Sequence, residues 1–299
     1  MSILVLGTVA LDTVRTPSGV REKMLGGSAV HFAMSSRLFT KVNLAAVIGS
    51  DFPLTYIHFL KRKGIIINSL IKEEGLTFKW EGEYRGDLNT ALTINTELGV
   101  LATFKPCISQ EQKKIKNIFL ANVDPDIQLY FLSQSCPGAF VGLDSMNFWI
   151  KNKRQSLLKV LKKADIFVAN DQEARDLSEE TNLLKAAKKL HALGPRMVLI
   201  KKGEHGLFFY SNSFIFSLPA YPTEKVTDPT GAGDTFAGGF MGYLAAAKKI
   251  NASNLKNALV YGTVAASFNV EDFGVERTSG ITLRQLNQRV KEFKKIISL

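Results

Sequence analysis

Between Thr227 and Phe236 the chain reads Thr-Asp-Pro-Thr-Gly-Ala-Gly-Asp-Thr-Phe, and apolar residues then recur at Phe236, Phe240, Tyr243 and Leu244. That spacing is a helix with one buried face. Gly231, Ala232 and Gly233 fall in its first turn, where backbone N–H groups have no intrahelical acceptor. Orphan donors, the positive end of the helix dipole and absent side chains together make a seat for a phosphate. Asp234 sits awkwardly beside an anion unless it handles a proton. Taken alone, the stretch reads equally well as an ordinary helix start with an acidic first turn.

Other polar groups stand where strands should end. Ile3–Gly7 is a continuous apolar run followed by Asp12, and α/β proteins place ligand contacts just past strand ends. Gly26-Gly27 precedes an amphipathic run (Val30, Ala33, Met34, Leu38) and marks a second helix N-terminus, with His31 one turn in. Further along lie Asn170-Asp171-Gln172-Glu173 and Lys201-Lys202-Gly203-Glu204-His205-Gly206.

These groups need a scaffold, and 299 residues at 45% hydrophobic and 22% charged are enough for one large α/β domain. No run approaches the length of a membrane span, and Met1–Gly7 reads as a first strand, not a signal peptide. Cys107 and Cys136 form no pattern and imply reduced thiols in a cytoplasmic protein. The four histidines make no metal-ligand pair. A net charge of +11 makes nucleic acid the first partner to weigh. The lysines are scattered, however, in pairs such as Lys162/Lys163, Lys188/Lys189 and Lys248/Lys249, with no interleaved aromatic platform. They read as a solvated surface that attracts anionic substrates.

Alternation of strand and helix signals argues for a doubly wound, mainly parallel sheet with helices on both faces. Strands are expected at Ile3–Gly7, Val42–Ile48, Ile65–Ile67, Ile118–Ala121, Phe140–Leu143, Ile166–Ala169 and Met197–Ile200. Between them lie helices at Pro53–Lys63, Asp126–Ser133, Arg154–Lys163 and Leu183–Leu193. A hairpin follows over 206–217, then helices at 232–247, 254–269 and 282–297. From Leu76 to Phe104 the pattern becomes alternating (Phe78, Trp80, Tyr84, then Leu92, Ile94 after Gly86-Asp87) and helices are absent. Together with residues 13–25 this region reads as a small antiparallel sheet inserted as a lid on a single domain spanning 1–299.

The order and spacing of these signals strongly resemble the ribokinase family, the PfkB carbohydrate kinases, over essentially the whole chain. Asp228 to Phe240 is similar almost letter for letter to that family's C-terminal signature, and Gly26-Gly27 to its N-terminal one. The resemblance implies an ATP-dependent phosphotransferase. Asp234 matches the base that takes the acceptor hydroxyl's proton, and the N–H groups of Gly231, Ala232, Gly233 and Asp234 match the hole for charge developing on the γ-phosphate. Asn170 and Glu173 match an element that organises Mg2+ through water. Lys201, Gly203 and Gly206 match the nucleotide-binding loop, and Asn269 to Gly274 a loop closing over adenine. Asp228, Thr230 and Thr278 resemble a monovalent-cation (K+) site. On the acceptor side, Asp12, Gly26 and Gly27 match sugar contacts. Ala10, His31 and Ser28 depart from the residues of true ribokinases, so the ribose contacts are not all present; His31 and Ser28 are expected on the acceptor side, where His31 suits a ribose as well as a hexose.

Asp144-Ser145-Met146-Asn147-Phe148-Trp149 resembles the D-x-N-x-R element of hexose kinases without its arginine; Lys153 or Arg154 is expected to supply that charge. Phe78, Trp80 and Tyr84 are candidates to stack on a substrate ring, with packing inside the lid the plainer role. The resemblance also implies a homodimer through the lid. The activity expected is transfer to a small sugar, with a nucleoside kinase as the alternative and a non-catalytic sugar- or nucleotide-binding regulator as the rival from another class. A dinucleotide fold is disfavoured because the first strand leads to Gly7-Thr8-Val9-Ala10, not G-x-G-x-x-G, and a Walker-type ATPase because no GK[ST] occurs.

Overall fold

The computed structural model describes residues 1–86, 88–247 and 249–298. Asp87 of the lid's turn, Lys248 of the paired lysines and Leu299 lie outside the described residues. The strands are β1 (Ser2–Leu6), β2 (Ala10–Thr16), β3 (Gly19–Gly26), β4 (Lys41–Ile48), β5 (Ile66–Lys72), β6 (Lys79–Tyr84), β7 (Ala91–Glu97), β8 (Asn117–Leu120), β9 (Phe140–Asp144), β10 (Ile166–Asn170), β11 (Met197–Lys201), β12 (Leu207–Ser211) and β13 (Ile215–Leu218). The helices are α1 (Ser28–Ser36), α2 (Leu54–Arg62), α3 (Pro125–Gln134), α4 (Asn147–Asn152), α5 (Arg154–Leu161), α6 (Asp171–Ser178), α7 (Leu183–Ala192), α8 (Ala232–Ala246), α9 (Ala252–Asn269), α10 (Glu276–Gly280) and α11 (Leu283–Ile296).

The large sheet runs β13-β12-β11-β10-β9-β8-β1-β4-β5. It is parallel from β5 through β11, and β12 and β13 are antiparallel. Its central strands are apolar on both faces because both faces are covered. Ile3 and Val5 of β1 belong to one core with Phe32 of α1, Phe240 of α8, Val264 of α9 and Phe293 of α11. Leu4 and Leu6 point the other way, into a second core with Phe131, Leu157, Leu177 and Leu190 of α3, α5, α6 and α7. Burying each such side chain contributes about 1.5–3 kcal/mol. Phe32 stacks on Phe119 with ring centroids 4.5 Å apart, which seats α1 on the sheet.

The small sheet has the order β3-β2-β6-β7. Its outer pairs are antiparallel but β2 and β6 run parallel, so it is mixed and not the antiparallel sheet expected. The chain enters β2 and β6 from the same side, out of the large sheet, which forces that orientation. The inserted segment also ends earlier than expected. After Glu97 the chain forms a 3-10 turn over Gly99–Thr103, whose Val100 and Leu101 join the second core of the large sheet with Phe104. Strand β5 is longer than its three-residue apolar signal, because its later residues pair with Ala45 to Ile48 of β4. Helices α4 and α10 are too short to have a counterpart in the sequence signals, and of α6 only the start at Asn170 is legible, because its residues are polar and only one side of it is buried.

Candidate active site

The turn from Thr227 to Gly231 delivers helix α8 to the carboxyl ends of the central strands. Gly231 has φ of +72°, and a Cβ there would lie 2.2 Å from the His31 ring, so only glycine fits. The glycines further along serve packing: a Cβ on Gly238 would meet Phe32 O at 2.2 Å and one on Gly239 would crowd Gly262 of α9. Close contact with α1 and α9 therefore fixes the direction of the α8 N-terminus. Within the first turn, Ala232 N–H is already spent on Pro229 O (3.1 Å). The expected hole loses that donor, because the turn before the helix closes on itself. The N–H groups of Gly231 and Gly233 have no backbone acceptor among the described residues.

A buried brace holds this loop. Asn269, at the end of α9 and fully buried, donates from Nδ2 to Thr230 O (2.7 Å) and accepts from Thr235 Oγ1 (2.8 Å). Asp228 accepts from Thr230 N (2.8 Å) and Gly274 N (2.9 Å), one with each oxygen. Asn269 and Gly274, expected beside adenine, are thus tied to the underside of the phosphate loop; a side chain at the end of α9 points back into the core, which spacing alone does not reveal. Of the residues matched to a monovalent-cation site, Asp228 ties the loop to Gly274 through these two N–H groups, and Thr278 turns its hydroxyl to Val275 O (3.2 Å).

Charge gathers on the other side of Asp234. Lys201 Nζ lies 3.0 Å from Asp144 Oδ2, and a Cβ on Gly233 would come within 2.9 Å of the same ammonium. Lys201 therefore reaches the phosphate loop and does not merely shape the nucleotide loop. Lys153 is paired with Asp124 and Asp126, and Arg154 with Glu179 and Leu177 O, so the two charges expected to stand in for the missing arginine are both engaged by neighbouring groups. Burial, then Asp144, push Asp234 up to about 7, with Lys201 and its own N–H pulling back. Burial and Asp144 likewise push Glu173 up to about 8. Burial pulls Lys201 down, but Asp144, Glu173 and Asp234 outweigh it and hold the ammonium above its ordinary value. Perturbation of this kind is the mark of groups arranged for chemistry.

Asn170 and Glu173 form a reciprocal capping box at the start of α6, each accepting the other's N–H at 2.7 Å. That uses Asn170 Oδ1 and Glu173 Oε2 and leaves the second Glu173 oxygen. Among the described residues no three His, Cys, Asp or Glu side chains converge as a metal cage. Mg2+ needs none where one or two carboxylates act with substrate phosphates and water. The donor set fits that mode, with Glu173 the residue to hold it. In the nucleotide loop Gly203 and Gly206 have φ of +55° and +82°, and a Cβ on Gly206 would strike Leu218 O at 2.0 Å, so its glycine serves the β12–β13 hairpin.

On the acceptor side, Asp12 Oδ2 accepts from Gly27 N (3.2 Å), and a Cβ on Gly26 would overlap that carboxylate at 1.9 Å. Burial pushes Asp12 up to about 7 against that hydrogen bond, with Asp228 and Asp234 adding to the rise. His31 is buried, with Nδ1 3.0 Å from Asn269 Oδ1. Ser28, expected to face the substrate, instead exchanges hydrogen bonds with Thr8 and donates to Asn122 O (3.2 Å). Its hydroxyl pins the β1–β2 connection. Of the small-sheet aromatics, Trp80 lies over Gly82 and donates to Thr93 Oγ1, and Phe78 packs against the second core. Tyr84 alone reaches inward: it is 9% exposed, and its hydroxyl lies 3.4 Å from Thr230 Oγ1.

The structure thus brings Asp12, His31, Thr230, Asp234, Lys201 and Glu173 into one polar cluster at the strand ends. It draws in Asp144, which the sequence placed in a D-x-N-x-R-like element, and Tyr84, for which packing inside the lid was the plainer role. Asp144 had a signal, an acid at a strand end like Asp12.

A model of the pfkB family carbohydrate kinases matches residues 5–280. Over 248 residues the chain is 32% identical to a cytidine kinase of Thermococcus kodakarensis, covering 81% of this chain and 87% of that one. The Methanocaldococcus jannaschii nucleoside kinase, an archaeal member of the ribokinase family, superposes with a TM-score of 0.79 at 22% identity, covering 97% and 98% of the two chains. An E. coli protein assigned as a ribokinase II and solved with ATP and Mg2+ superposes at 0.80 with 18% identity, covering 97% and 99%. These likenesses, on the fold described, show that the chain belongs to the pfkB family of carbohydrate kinases and is a phosphotransferase.

Proposed function

We propose that the protein is an ATP-dependent nucleoside kinase that moves the γ-phosphate of ATP to a hydroxyl of a nucleoside. The observation that carries the choice of acceptor is the 32% identity with a cytidine kinase across 87% of that protein's length. Asp234 accepts the hydroxyl proton; a carboxylate held near 7 is matched to that task at neutral pH. The free N–H groups of Gly231 and Gly233 and the Lys201 ammonium stabilise charge on the phosphate as it transfers. Asp12 and the glycine pair seat the acceptor, and the β6–β7 hairpin covers it with Tyr84 beneath. Glu173 would hold Mg2+ through water; bound with ATP, the ion neutralises phosphate charge.

A homodimer through the small sheet belongs to the same reading. Leu92 and Ile94 on edge strand β7 are 51% and 50% exposed, apolar area that a second copy would cover. Light scattering of the purified protein decides it. We place the enzyme in the cytoplasm, in keeping with its two unpaired cysteines. Among the described residues no helix is long and apolar enough to cross a membrane.

ADP release with ATP and Mg2+ across pentoses, hexoses, nucleosides and inositols tests the function. A nucleoside should exceed ribose and fructose in kcat/KM by about tenfold or more. Preference for a free sugar would overturn the nucleoside reading, and no ADP from any acceptor would make the chain a binding protein.

A further inference from the structure

Tyr84 closes strand β6 of the small sheet, yet it is buried and its hydroxyl touches the phosphate loop, 3.4 Å from Thr230 Oγ1. The Thr230 hydroxyl donates in that contact, so the phenol oxygen accepts and its own hydrogen is directed elsewhere. Three carboxylates stand close enough to act on it. Burial pushes Tyr84 up to about 12 against the Thr230 hydrogen bond, and Asp228, Asp12 and Asp234 add to the rise. At neutral pH the phenol therefore keeps its hydrogen and is a donor. None of the three acids takes that hydrogen: Thr230 is the only hydrogen-bond partner of the Tyr84 hydroxyl among the described residues, and Asp12 Oδ1 is left without one. The loop beside it is short of donors. Thr230 O is turned to Asn269 Nδ2, and a planar trans peptide aims the next N–H, that of Gly231, the opposite way. Gly231 and Gly233 keep N–H groups with no backbone acceptor among the described residues, but that of Ala232 is spent on Pro229 O. A phosphoryl group has three oxygens over which charge spreads during transfer. Asp12, Asp228 and Asp234 crowd the same place with negative charge, so each further donor there counts. The acceptor hydroxyl makes no such demand, since it gives up its hydrogen to Asp234.

We propose that Tyr84 is a further catalytic residue: its hydroxyl donates a hydrogen bond to the phosphoryl group in transfer, supplying from the small sheet the donor that Ala232 does not. The inference rests on the kinase reading above and deepens it. Thr230 holds the phenol oxygen and so frees its hydrogen for the phosphoryl oxygen. Because this donor arrives on the β6–β7 hairpin, the set of donors is complete only while the small sheet is seated against the phosphate loop. Transfer is thereby tied to an enclosed acceptor, and ATP is guarded against water.

Tyr84→Phe removes the hydroxyl and keeps the ring. Steady-state rates with ATP and Mg2+ on cytidine and on D-ribose give one readout. Calorimetric binding of ADP and Mg2+ with and without aluminium fluoride, a mimic of the phosphoryl group in flight, gives another that needs no turnover. Tyr84→Phe should lower kcat by roughly 100-fold with the KM values for ATP and acceptor within about threefold of native. It should weaken the fluoride complex roughly 10–100-fold and ADP alone by less than about threefold. Trp80→Phe is the control: it breaks the bond to Thr93 on the same strand, away from the loop, and should leave kcat within about threefold. A rise in acceptor KM in place of a fall in kcat, equal weakening of ADP with and without fluoride, or equal slowing by Trp80→Phe would overturn the proposal. Cytidine phosphorylated as fast by Tyr84→Phe as by the native enzyme sinks this inference and leaves the nucleoside reading. Ribose as the acceptor used, with Tyr84→Phe slow on it, does the reverse. If neither is phosphorylated, the fluoride binding decides it.

Discussion

Asp234→Asn should separate stability from catalysis in a way that only a charge-crowded base would. Asparagine keeps the size of the side chain and an oxygen for its own N–H, but it cannot accept the acceptor's proton. Loss of a general base costs about 10²–10⁴ in rate, so kcat should fall roughly a thousandfold while ATP affinity stays within about threefold. The same change should raise stability at alkaline pH. In the folded protein the Asp234 carboxyl is pushed up to about 7 from 3.8. A folded-state value above the unfolded one means the native state binds the proton more tightly, so this contribution is full below pH 4 and is lost as pH rises through 7. That rise converts to about 4 kcal/mol at most, and partial solvent access reduces this to about 1–2 kcal/mol. Asparagine imitates the neutral acid at every pH and escapes the loss. In the absence of nucleotide, Asp234→Asn should melt roughly 2–3 °C above the native protein at pH 8, with the gap shrinking towards pH 4. A variant that melts no higher at pH 8, or keeps more than about a tenth of native kcat, would refute the placement of Asp234 as a buried, repelled base.

Gly231→Ala should reduce kcat by roughly 100-fold, because a side chain at φ of +72° would enter the His31 ring and displace the phosphate loop. Gly64→Ala is its control: the φ is +77° with open space around it, so stability should fall by about 1 kcal/mol with kcat unchanged. Asn269→Leu strips three buried partners, Thr230 O, Thr235 Oγ1 and His31 Nδ1, and should cost about 3–6 kcal/mol in denaturant melts; a loss under about 1 kcal/mol would show the brace to be idle. Lys201→Met leaves Asp144, Glu173 and Asp234 without their cation. The acid limb of the kcat/KM pH profile should then move to higher pH, with activity at pH 7 down roughly tenfold or more. An unmoved profile would remove Lys201 from the site.

Much of the architecture was legible because burial on both faces leaves a plain pattern. Ile3 to Leu6, Phe140 to Leu143 and Ile166 to Ala169 can hardly be anything but central parallel strands, and the α8 glycines announce a helix start that must pack closely. Elements held by partners and not by their own pattern were missed or shortened. Strand β5 extends because β4 pairs with it, and α4, α6 and α10 are too short or polar to show a period. The parallel pairing of β2 with β6 was invisible, since alternation gives a strand's faces but not its direction.

Within the site the division is the same. Residue types, glycine positions and order along the chain, read with the family resemblance, singled out Asp234, Gly231, Gly233, Asp12 and Glu173 as the candidate chemical groups, because each proposed role needs a particular atom or the lack of one. Tertiary structure alone decided their partners. It gave Lys201 to Asp144 over 57 residues, brought Tyr84 to Thr230 over 146, and set Asn269 beneath a loop 39 residues away. Charges and protonation states belong to such encounters: a carboxylate near 7 or a phenol near 12 exists only where burial removes water and distant elements supply, or withhold, the compensating group.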